Sequence, residues 1–343
     1  NYDRFNFENK LWNIHINMNE SLNIFDNNFK DILNLGEAFD LLIEDNKDIL
    51  EEVQEEIHFT YGRLEKMFHN DMGVFIDSDF YNWNRAKSVL EFLYDIDIKP
   101  LIVIDNLTFT TEKYRNVLKS FIEYFSALDF SPIEHLKFQF SSTINKEIKN
   151  NLLDFLNSEF NFKILDNDFI IENTLNQIYD TSYMLPYIIH STIFKKDNLS
   201  FLRNFDVLEK ATNITNEVFI GASGIVNDMG IRKPSYYAFY LLSKLADEIV
   251  SIDDGCIVTK SDDLCAILLY CHNNDMDSLA KYDTIYKNGI LKKSFKKKYS
   301  LNIVNLKSST RIITYTIDES TGSSYNYWLS MGSPKRLNKE EKE

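Results

Sequence analysis

The chain has 343 residues, of which 44% are hydrophobic and 26% charged, and its 52 acidic and 37 basic side chains give a formal net charge of −15. This is the composition of a folded globular protein, and the length suits one large domain or two. The negative charge argues against direct binding of nucleic-acid phosphates by this chain. No apolar run reaches the roughly 18 residues of a membrane span, and the polar N-terminal residues contain no signal peptide, so we expect a cytoplasmic protein without a membrane anchor.

Two short strands are predicted first, at 11–17 and 22–25, because apolar and polar residues alternate there. From about residue 30 an apolar strand and an amphipathic helix alternate. Further strands are predicted at 32–35, 58–64, 101–105, 136–140, 162–165, 169–171 and 199–202. Helices are predicted with an N-cap at Asn46, with stripes at 86–93, 114–128, 144–156 and 183–192, and from Pro234 through Ile249.

This alternation predicts a parallel sheet with crossover helices, closed into a degenerate TIM-like (β/α) barrel with six or seven strands rather than eight. After about residue 252 the pattern favours strands alone, at 256–259, 264–270, 299–304 and 311–316, which is typical of an all-β module. We therefore predict N-terminal strands (1–28) that join a β-sandwich (252–334), a barrel between them (29–251), and a solvated charged tail (335–343).

Neither a metal nor a cofactor is expected. The three cysteines, Cys256, Cys265 and Cys271, fit no common zinc spacing and are expected to be reduced, and no two histidines stand at a metal-binding spacing. No dinucleotide-binding, P-loop, GxSxG or HExxH motif is present. The chain begins at Asn1 rather than Met, which predicts a processed product or a fragment of a longer protein.

Four segments of the chain resemble glycoside hydrolase family 39. They are YGR (61–63) with NDMGVF (70–75), DTSYMLPYI (180–188), GASGI (221–225) with GIRKPSYYAF (230–239), and SYNYW (324–328) with MGSP (331–334). More narrowly, they look like the branch of that family fused behind a helix-turn-helix in AraC-family transcription regulators of the Rsp type. The resemblance implies a (β/α)8 barrel with a flanking β-sandwich assembled from both chain ends.

The resemblance also implies where the catalytic carboxyl groups of a retaining glycosidase belong, since that reaction needs two of them about 5–5.5 Å apart. It places Thr143 at the acid/base position, after the strand 136–140, and a hydroxyl there cannot protonate a leaving oxygen near neutral pH. The nearest match to the nucleophile is Glu172, whose neighbours depart from the family motif. We therefore expect no catalytic residues, with Thr143 and Glu172 as relic positions.

Five residues are candidates for binding a ligand at the mouth of the barrel: Arg63, His69, Asp105, Asn106 and Glu172. Asp105 and Asn106 end the strand 101–105 at the C-terminal face, where sites on this fold gather. Structural roles compete with this interpretation, because Arg63 could form an ion pair inside the barrel and Glu172 could face solvent.

The missing acid favours a non-catalytic regulatory module for sensing, dimerisation or partner binding. It would serve an AraC-type regulator whose helix-turn-helix lies outside this chain. That hypothesis implies DNA bound through the absent domain, contact with RNA polymerase, a small-molecule or sugar ligand, and a homodimer. The alternative is a divergent glycoside hydrolase acting on xylosides or related sugars, using Glu172 with another acid such as Asp105. A secreted carbohydrate-binding protein is disfavoured because the chain has no disulfide framework.

Overall fold

The computed structural model describes residues 11–76, 80–130, 133–162, 164–165, 175–195, 199, 202–206, 218–272, 297–306 and 310–342. The chain divides into two compact units. Unit 1 comprises Asn1–Phe29, Thr174–Asp197 and Leu208–Glu343, and unit 2 comprises Lys30–Asn173 and Asn198–Val207. Within the described residues, no helix combines the length and apolarity needed to cross a membrane.

The secondary structure alternates between strands and helices up to residue 243 and is mainly β thereafter. The described strands are β1 (Leu11–Asn17), β2 (Asn23–Ile24), β3 (Ile32–Glu37), β4 (Tyr61–Glu65), β5 (Lys99–Ile104), β6 (Lys137–Phe140), β7 (Ile164–Leu165), β8 (Arg203–Phe205), β9 (Gly224–Val226), β10 (Glu248–Asp253), β11 (Cys256–Lys260), β12 (Cys265–Leu269) and β13 (Lys298–Val304). The described α-helices are α1 (Glu44–Ile57), α2 (Asn84–Asp95), α3 (Thr111–Ser126), α4 (Lys146–Phe160), α5 (Met184–His190), α6 (Pro234–Ser243), α7 (Ser324–Ser330) and α8 (Lys339–Lys342).

Unit 2 is a parallel sheet with helices between its strands. Its strands pair in the order β7-β6-β5-β4-β3-β8, and every pairing is parallel. Strand β5 is buried from Pro100 to Ile104, as a strand covered on both faces must be. Helix α1 turns Leu50, Val53 and Ile57 toward the core, and α3 begins at Thr110, whose hydroxyl caps the amide of Lys113.

Unit 1 contains two β-sheets that share an apolar core. Strand β1 pairs in parallel with β13, and the second sheet has the antiparallel order β12-β11-β10-β2. The core between them holds Ile14, Ile16, Val250, Cys256 and Val258. Alternate residues of these strands point inward, which is the arrangement of a β-sandwich.

Several elements differ from the sequence predictions, each for a local reason. Helix α1 begins at Glu44 instead of being capped by Asn46, because the side-chain Nδ2 of Asn46 donates to the carbonyl of Asp40 at 2.9 Å. The strand predicted at 199–202 lies at Arg203–Phe205, and helix α6 ends at Ser243, so that Ile249 belongs to β10.

The prediction that helices stop after residue 252 is wrong. Helix α7 begins where the Ser323 hydroxyl caps the amide of Asn326, and it buries Tyr325 and Trp328. Residues 311–316 form no strand and are exposed. The strand predicted at 169–171 lies outside the described residues, and the predicted domain limits stay a prediction.

Candidate active site

Charged side chains gather where the strands of unit 2 end at their carboxyl termini. Glu37 is the last residue of β3, Glu65 is the last of β4, and Lys66 and Asp105 directly follow β4 and β5. Because β3, β4 and β5 are parallel neighbours, these residues share one edge of the sheet. This is the edge at which (β/α) barrels carry their sites.

Asp105 has the properties of a proton donor. Burial raises the pKa of this carboxyl to about 6, a rise that Glu65 supports and that the Lys66 amide and the Arg63 and Lys66 charges oppose. The Lys66 amide donates to Oδ2 of Asp105 at 2.7 Å, and the side chain is 18% exposed. A carboxyl with this pKa is largely protonated in mildly acidic solution, as a general acid must be.

Lys66 connects the ends of β3 and β5. Its backbone is left-handed, with φ at +57°, a conformation that non-glycine residues seldom adopt. This turn accompanies the hydrogen bond from its amide to Asp105, while its Nζ lies 2.5 Å from Oε1 of Glu37. Glu37 is almost fully buried, so the lysine supplies the opposite charge that a buried carboxylate requires.

His69 lies beside Asp105 without adding positive charge. Its Nε2 is 3.7 Å from Oδ2 of Asp105, and this ring nitrogen has no hydrogen-bond partner within the described part of the chain. Burial and the nearby Lys66 ammonium lower the pKa of His69, which favours the neutral ring. A neutral imidazole leaves the raised pKa of Asp105 intact, whereas a cation there would lower it.

Arg63 lies inside the barrel. Its Nε donates to Oε1 of Gln139 at 2.7 Å, and its Nη1 lies 2.5 Å from Oε1 of Glu65. The guanidinium therefore joins β4 to β6 and is buried, which matches the structural alternative given above. Its role in ligand binding stays a prediction.

The other predicted site residues lie around this cluster or outside the described residues. Asn106 is exposed next to Asp105, and Thr143 is exposed in the turn after β6, with its hydroxyl oxygen 3.0 Å from that of Ser141. Glu172 lies outside the described residues. The structure thus brings Arg63, His69 and Asp105 together, and the assignment of Thr143 and Glu172 as relic positions stays a prediction.

Sequence reasoning missed the polar residues of β3 and β8. Arg203, Asn204 and Asp206 are buried, and both polar atoms of the Asn204 amide have no hydrogen-bond partner among the described residues. Gly36 has φ at +79°, and a Cβ there would lie 3.3 Å from Nη1 of Arg203, so the glycine makes room for the guanidinium. The one signal in the sequence that could have indicated these residues was a carboxylate at the end of a strand, as at Glu37.

No metal centre is evident in this part of the protein. Among the described residues, no group of three or more His, Cys, Asp or Glu side chains is arranged to hold a metal ion. The described side chains of the cluster are carboxyl groups, an imidazole and paired cations.

Comparison with known proteins identifies related enzymes. The model of a family described as glycosyl hydrolases family 39 matches residues 120–343, which is more than half of the chain. A β-xylosidase of Caldicellulosiruptor saccharolyticus is 26% identical over 170 residues, or 48% of this chain and 32% of that protein. A β-xylosidase of Geobacillus stearothermophilus is 24% identical over 227 residues, or 63% of this chain and 40% of that protein. The chain thus spans about a third to two fifths of the length of these curated relatives.

Solved structures agree on the fold. A GH39 enzyme from Xanthomonas axonopodis pv. citri matches with a TM-score of 0.79 at 13% identity, covering 99% of this chain and 90% of that one. A monomeric β-xylosidase from Caulobacter crescentus CB15 matches with a TM-score of 0.75 at 15% identity, covering 96% and 91%. The predicted TIM-like (β/α)-barrel type of fold is confirmed.

These comparisons overturn the predicted function. The hypothesis of a non-catalytic regulatory module is wrong, because the matching family is one of glycosidases and the two curated relatives are β-xylosidases. The parts of that hypothesis are wrong as well: the assignment to an AraC-type regulator, the interpretation as a pseudoenzyme, and the prediction of DNA and RNA polymerase as partners. The regulatory hypothesis rested on the replacement at Thr143, whereas the matches favour the alternative given with it, a divergent glycoside hydrolase.

Proposed function

Because the chain belongs to glycosyl hydrolases family 39, we propose that it hydrolyses the glycosidic bond of a β-xyloside or a related sugar, with Asp105 as the proton donor. The observation that carries this proposal is the position of Asp105, whose largely buried carboxyl lies at the C-terminal edge of the barrel sheet and accepts from the Lys66 amide at 2.7 Å; burial raises its pKa to about 6. An acid with this pKa can protonate a leaving oxygen at mildly acidic pH.

The orientation of Asp105 supports this role. The Lys66 amide donates to Oδ2, while Oδ1 accepts no hydrogen bond from the described residues. The acidic proton would therefore be carried on Oδ1 and delivered to the glycosidic oxygen. Lys66 and Glu37 act as positioning residues, because their ion pair fixes the turn that holds the carboxyl.

The second carboxyl group in this proposal is Glu172, on the basis of its place in the sequence. Its carboxylate attacks the anomeric carbon while Asp105 gives its proton to the departing oxygen, which leaves a glycosyl-enzyme and a free alcohol. Asp105, now ionised, takes a proton from water as that water attacks the same carbon and releases the sugar. This is the retaining route, in which one carboxyl serves as acid and then as base.

The experiment compares two substrates that differ in their need for an acid. Xylobiose has a poor leaving group, whereas 2,4-dinitrophenyl β-D-xyloside releases a phenolate that needs no proton. With Asp105→Asn, kcat/KM for xylobiose should fall by about 10²–10⁴-fold, and the dinitrophenyl substrate should lose far less. Glu172→Gln should impair both substrates.

The matched control is Asp129→Asn, because Asp129 is an exposed carboxylate of unit 2 that follows α3, away from the cluster. It should retain the activity of the unaltered chain on both substrates. If Asp105→Asn lowered kcat/KM equally for the two substrates, Asp105 would not be the proton donor. If the unaltered chain hydrolysed neither substrate at high enzyme concentration, the proposed hydrolase function would be wrong.

A further inference from the structure

Three carboxyl groups stand beside one another where neighbouring strands of unit 2 end. Glu37 ends β3, Glu65 ends β4, and Asp105 directly follows β5. Glu37 is the register partner of Glu65, and strands that pair in this way lie about 4.8 Å apart. The exposed fractions of the three side chains are 5%, 19% and 18%, respectively. At this spacing and burial, three ionised carboxylates would repel one another unless cations balance their charges.

Two cations are engaged by two of these carboxylates. Nζ of Lys66 lies 2.5 Å from Oε1 of Glu37. Nη1 of Arg63 lies 2.5 Å from Oε1 of Glu65. Asp105 forms no ion pair with a lysine or arginine in the described part of the chain, and its Oδ2 accepts from the Lys66 amide instead. Asp105 is thus the one carboxyl of the three that can hold a proton without leaving a cation unpaired.

The Arg63 guanidinium is fixed inside the barrel. Its Nε donates to Oε1 of Gln139 at 2.7 Å while its Nη1 contacts Glu65, and the residue is only 4% exposed. The charge of Arg63 lowers the pKa of the Asp105 carboxyl, whereas the charge of Glu65 raises it. Because buried charges are only weakly screened, loss of the Glu65 charge would leave the Arg63 charge acting on Asp105 without its counter-charge.

We propose that Glu65 is a positioning residue of the site: its charge balances that of Arg63, so that Asp105 keeps the proton it gives to the leaving oxygen. This inference rests on the proposed function and adds to it a residue that acts through Asp105. A neutral side chain at position 65 could still accept a hydrogen bond from the guanidinium, but it could not cancel its charge. The proposed role therefore depends on the carboxylate charge of Glu65.

The other described polar groups that face Asp105 leave this control to the ion pair at the end of β4. The Lys66 ammonium is balanced by Glu37. The His69 ring, whose Nε2 lies 3.7 Å from Oδ2 of Asp105, has a lowered pKa, which favours its neutral form. From α3, the Tyr114 hydroxyl donates to the Asp105 carbonyl at 2.9 Å, and burial raises its pKa, which keeps it neutral. Since Lys66 also holds the carboxyl through its amide, the pair at the end of β4 is the one that acts through charge.

Two other roles of this ion pair predict different results. If the pair only held β4 against β6, its removal would lower stability and leave the titration of Asp105 unchanged. If Glu65 acted directly on the sugar, its removal would impair every substrate, whatever the leaving group. The proposed role predicts that Asp105 loses its proton at a lower pH, and that only substrates that need this proton are hydrolysed more slowly.

The first test follows the titration of Asp105 without any substrate. Carbon-13 NMR of labelled aspartate carboxyl groups in the full chain contains one signal that Asp105→Asn removes. The midpoint of this signal, at about pH 6 in the unaltered chain, should fall by about 1 unit or more in Glu65→Gln. Arg63→Gln should move the midpoint upward. The double variant Glu65→Gln/Arg63→Gln should return it toward 6, because both charges are then absent.

The matched control is Glu123→Gln, because Glu123 is also a glutamate near a cation but is 60% exposed on α3, with Oε1 at 3.8 Å from Nζ of Lys119. It should leave the midpoint unchanged. Since Glu65→Gln and Arg63→Gln are expected to shift the midpoint in opposite directions, a change caused by a loosened fold is distinguishable, and either variant decides alone if the other does not fold. A midpoint that neither variant moves overturns the inference.

Kinetics provide the second measurement. In Glu65→Gln the fall of kcat/KM for xylobiose at rising pH should begin about 1 unit lower, which is about a 10-fold loss at pH 7, while 2,4-dinitrophenyl β-D-xyloside should be hydrolysed as before. Glu65→Asp keeps the charge and should retain most of the activity on xylobiose. An equal loss on both substrates in Glu65→Gln would assign Glu65 a direct role on the sugar and overturn the inference. A shifted midpoint in a chain that hydrolyses neither substrate would sustain the link between Glu65 and Asp105 and reject the proposed function.

Discussion

Lys233 Nζ lies 2.6 Å from Oδ1 of Asp180, and neither side chain is exposed to solvent. The other carboxylate oxygen accepts from the Gly221 amide at 2.6 Å, and Nζ also donates to the Ala222 carbonyl at 2.7 Å. Burial raises the pKa of Asp180, although the charge and hydrogen bond of Lys233 act in the opposite direction. The pair thus ties the segment before α5 to the segment before α6 in unit 1.

Removing one partner of this pair should destabilise unit 1. Lys233→Met keeps much of the side-chain volume but leaves a buried carboxylate without its cation, so the free energy of unfolding should fall by about 3–5 kcal/mol. Urea denaturation at pH 7 measures the loss. The double variant Asp180→Asn/Lys233→Met should recover a large part of it, because the asparagine oxygen can still accept from Gly221. Equal stability of the single and double variants would contradict this explanation.

The proposed hydrolase activity should depend on pH through Asp105. Only the protonated carboxyl can act as the acid, so kcat/KM for xylobiose should fall as pH rises above about 6. The dinitrophenyl xyloside should lack this alkaline limb, because its leaving group needs no proton. The measurement is the pH dependence of kcat/KM for both substrates. If both substrates showed the same decrease at alkaline pH, a group other than Asp105 would be responsible for it.

The free energy of unfolding should also depend on pH through the proton on Asp105. The pKa of Asp105 rises on folding from 3.8 to about 6, so the folded state binds the proton more tightly between these values. Stability should therefore fall as pH rises through this window, by about 3 kcal/mol in total. Asp105→Asn should remove this fall and be the more stable protein at pH 7 while losing activity on xylobiose. Denaturation midpoints at pH 4 and pH 7 compare the two proteins.

Gly62 lies where β4 approaches its neighbours too closely for any side chain. A Cβ at this position would lie 2.5 Å from Cδ1 of Leu35 and 2.9 Å from Cγ2 of Ile98. Gly62→Ala should therefore lower the free energy of unfolding by about 1–3 kcal/mol through overpacking. Combining it with Leu35→Ala should show favourable coupling, because the added methyl group then fills part of the new cavity. Strictly additive losses would contradict the steric cause.

The three cysteines should react slowly in the folded protein. All three are free, and burial raises the pKa of each thiol, that of Cys256 to about 11. Since the thiolate is the reactive form, alkylation at pH 8 should be much slower than for a free thiol, with Cys256 the slowest. Mass spectrometry of peptides after timed alkylation tests the order. Rapid labelling of Cys256 without denaturant would show that the sandwich core opens readily.

The sequence predicted those elements whose pattern is local. The apolar run of β5 indicated a buried parallel strand, and its C-terminal position marked Asp105 as a site residue. The sequence analysis misplaced strand β8 because this strand is only three residues long, Arg203–Phe205. So short a strand has too few residues for an alternating pattern to be recognised. The role of Lys66 was unpredictable, since it depends on a left-handed turn and on the register of β3 against β4 and of β4 against β5.

The prediction of the site residues stays a prediction, and its weakest point is that it relied on one family position. Thr143 occupies the place expected for the acid, but an acid group can be supplied from another strand end of the same edge. Burial at the end of a strand, rather than the residue type alone, raises the pKa of Asp105, and burial emerges only in the folded structure.

The parallel pairing of β1 with β13 constrains how the protein is made. Leu11 aligns with Lys298, so at a synthesis rate of about 5–20 residues per second β1 must wait roughly 15–60 s before its partner leaves the ribosome. Strands β3 to β6 each pair with the next strand along the chain and need no such delay. During that interval the apolar face of β1 is available to chaperones or to aggregation, so β1 and β13 are the last of the described strands to be paired.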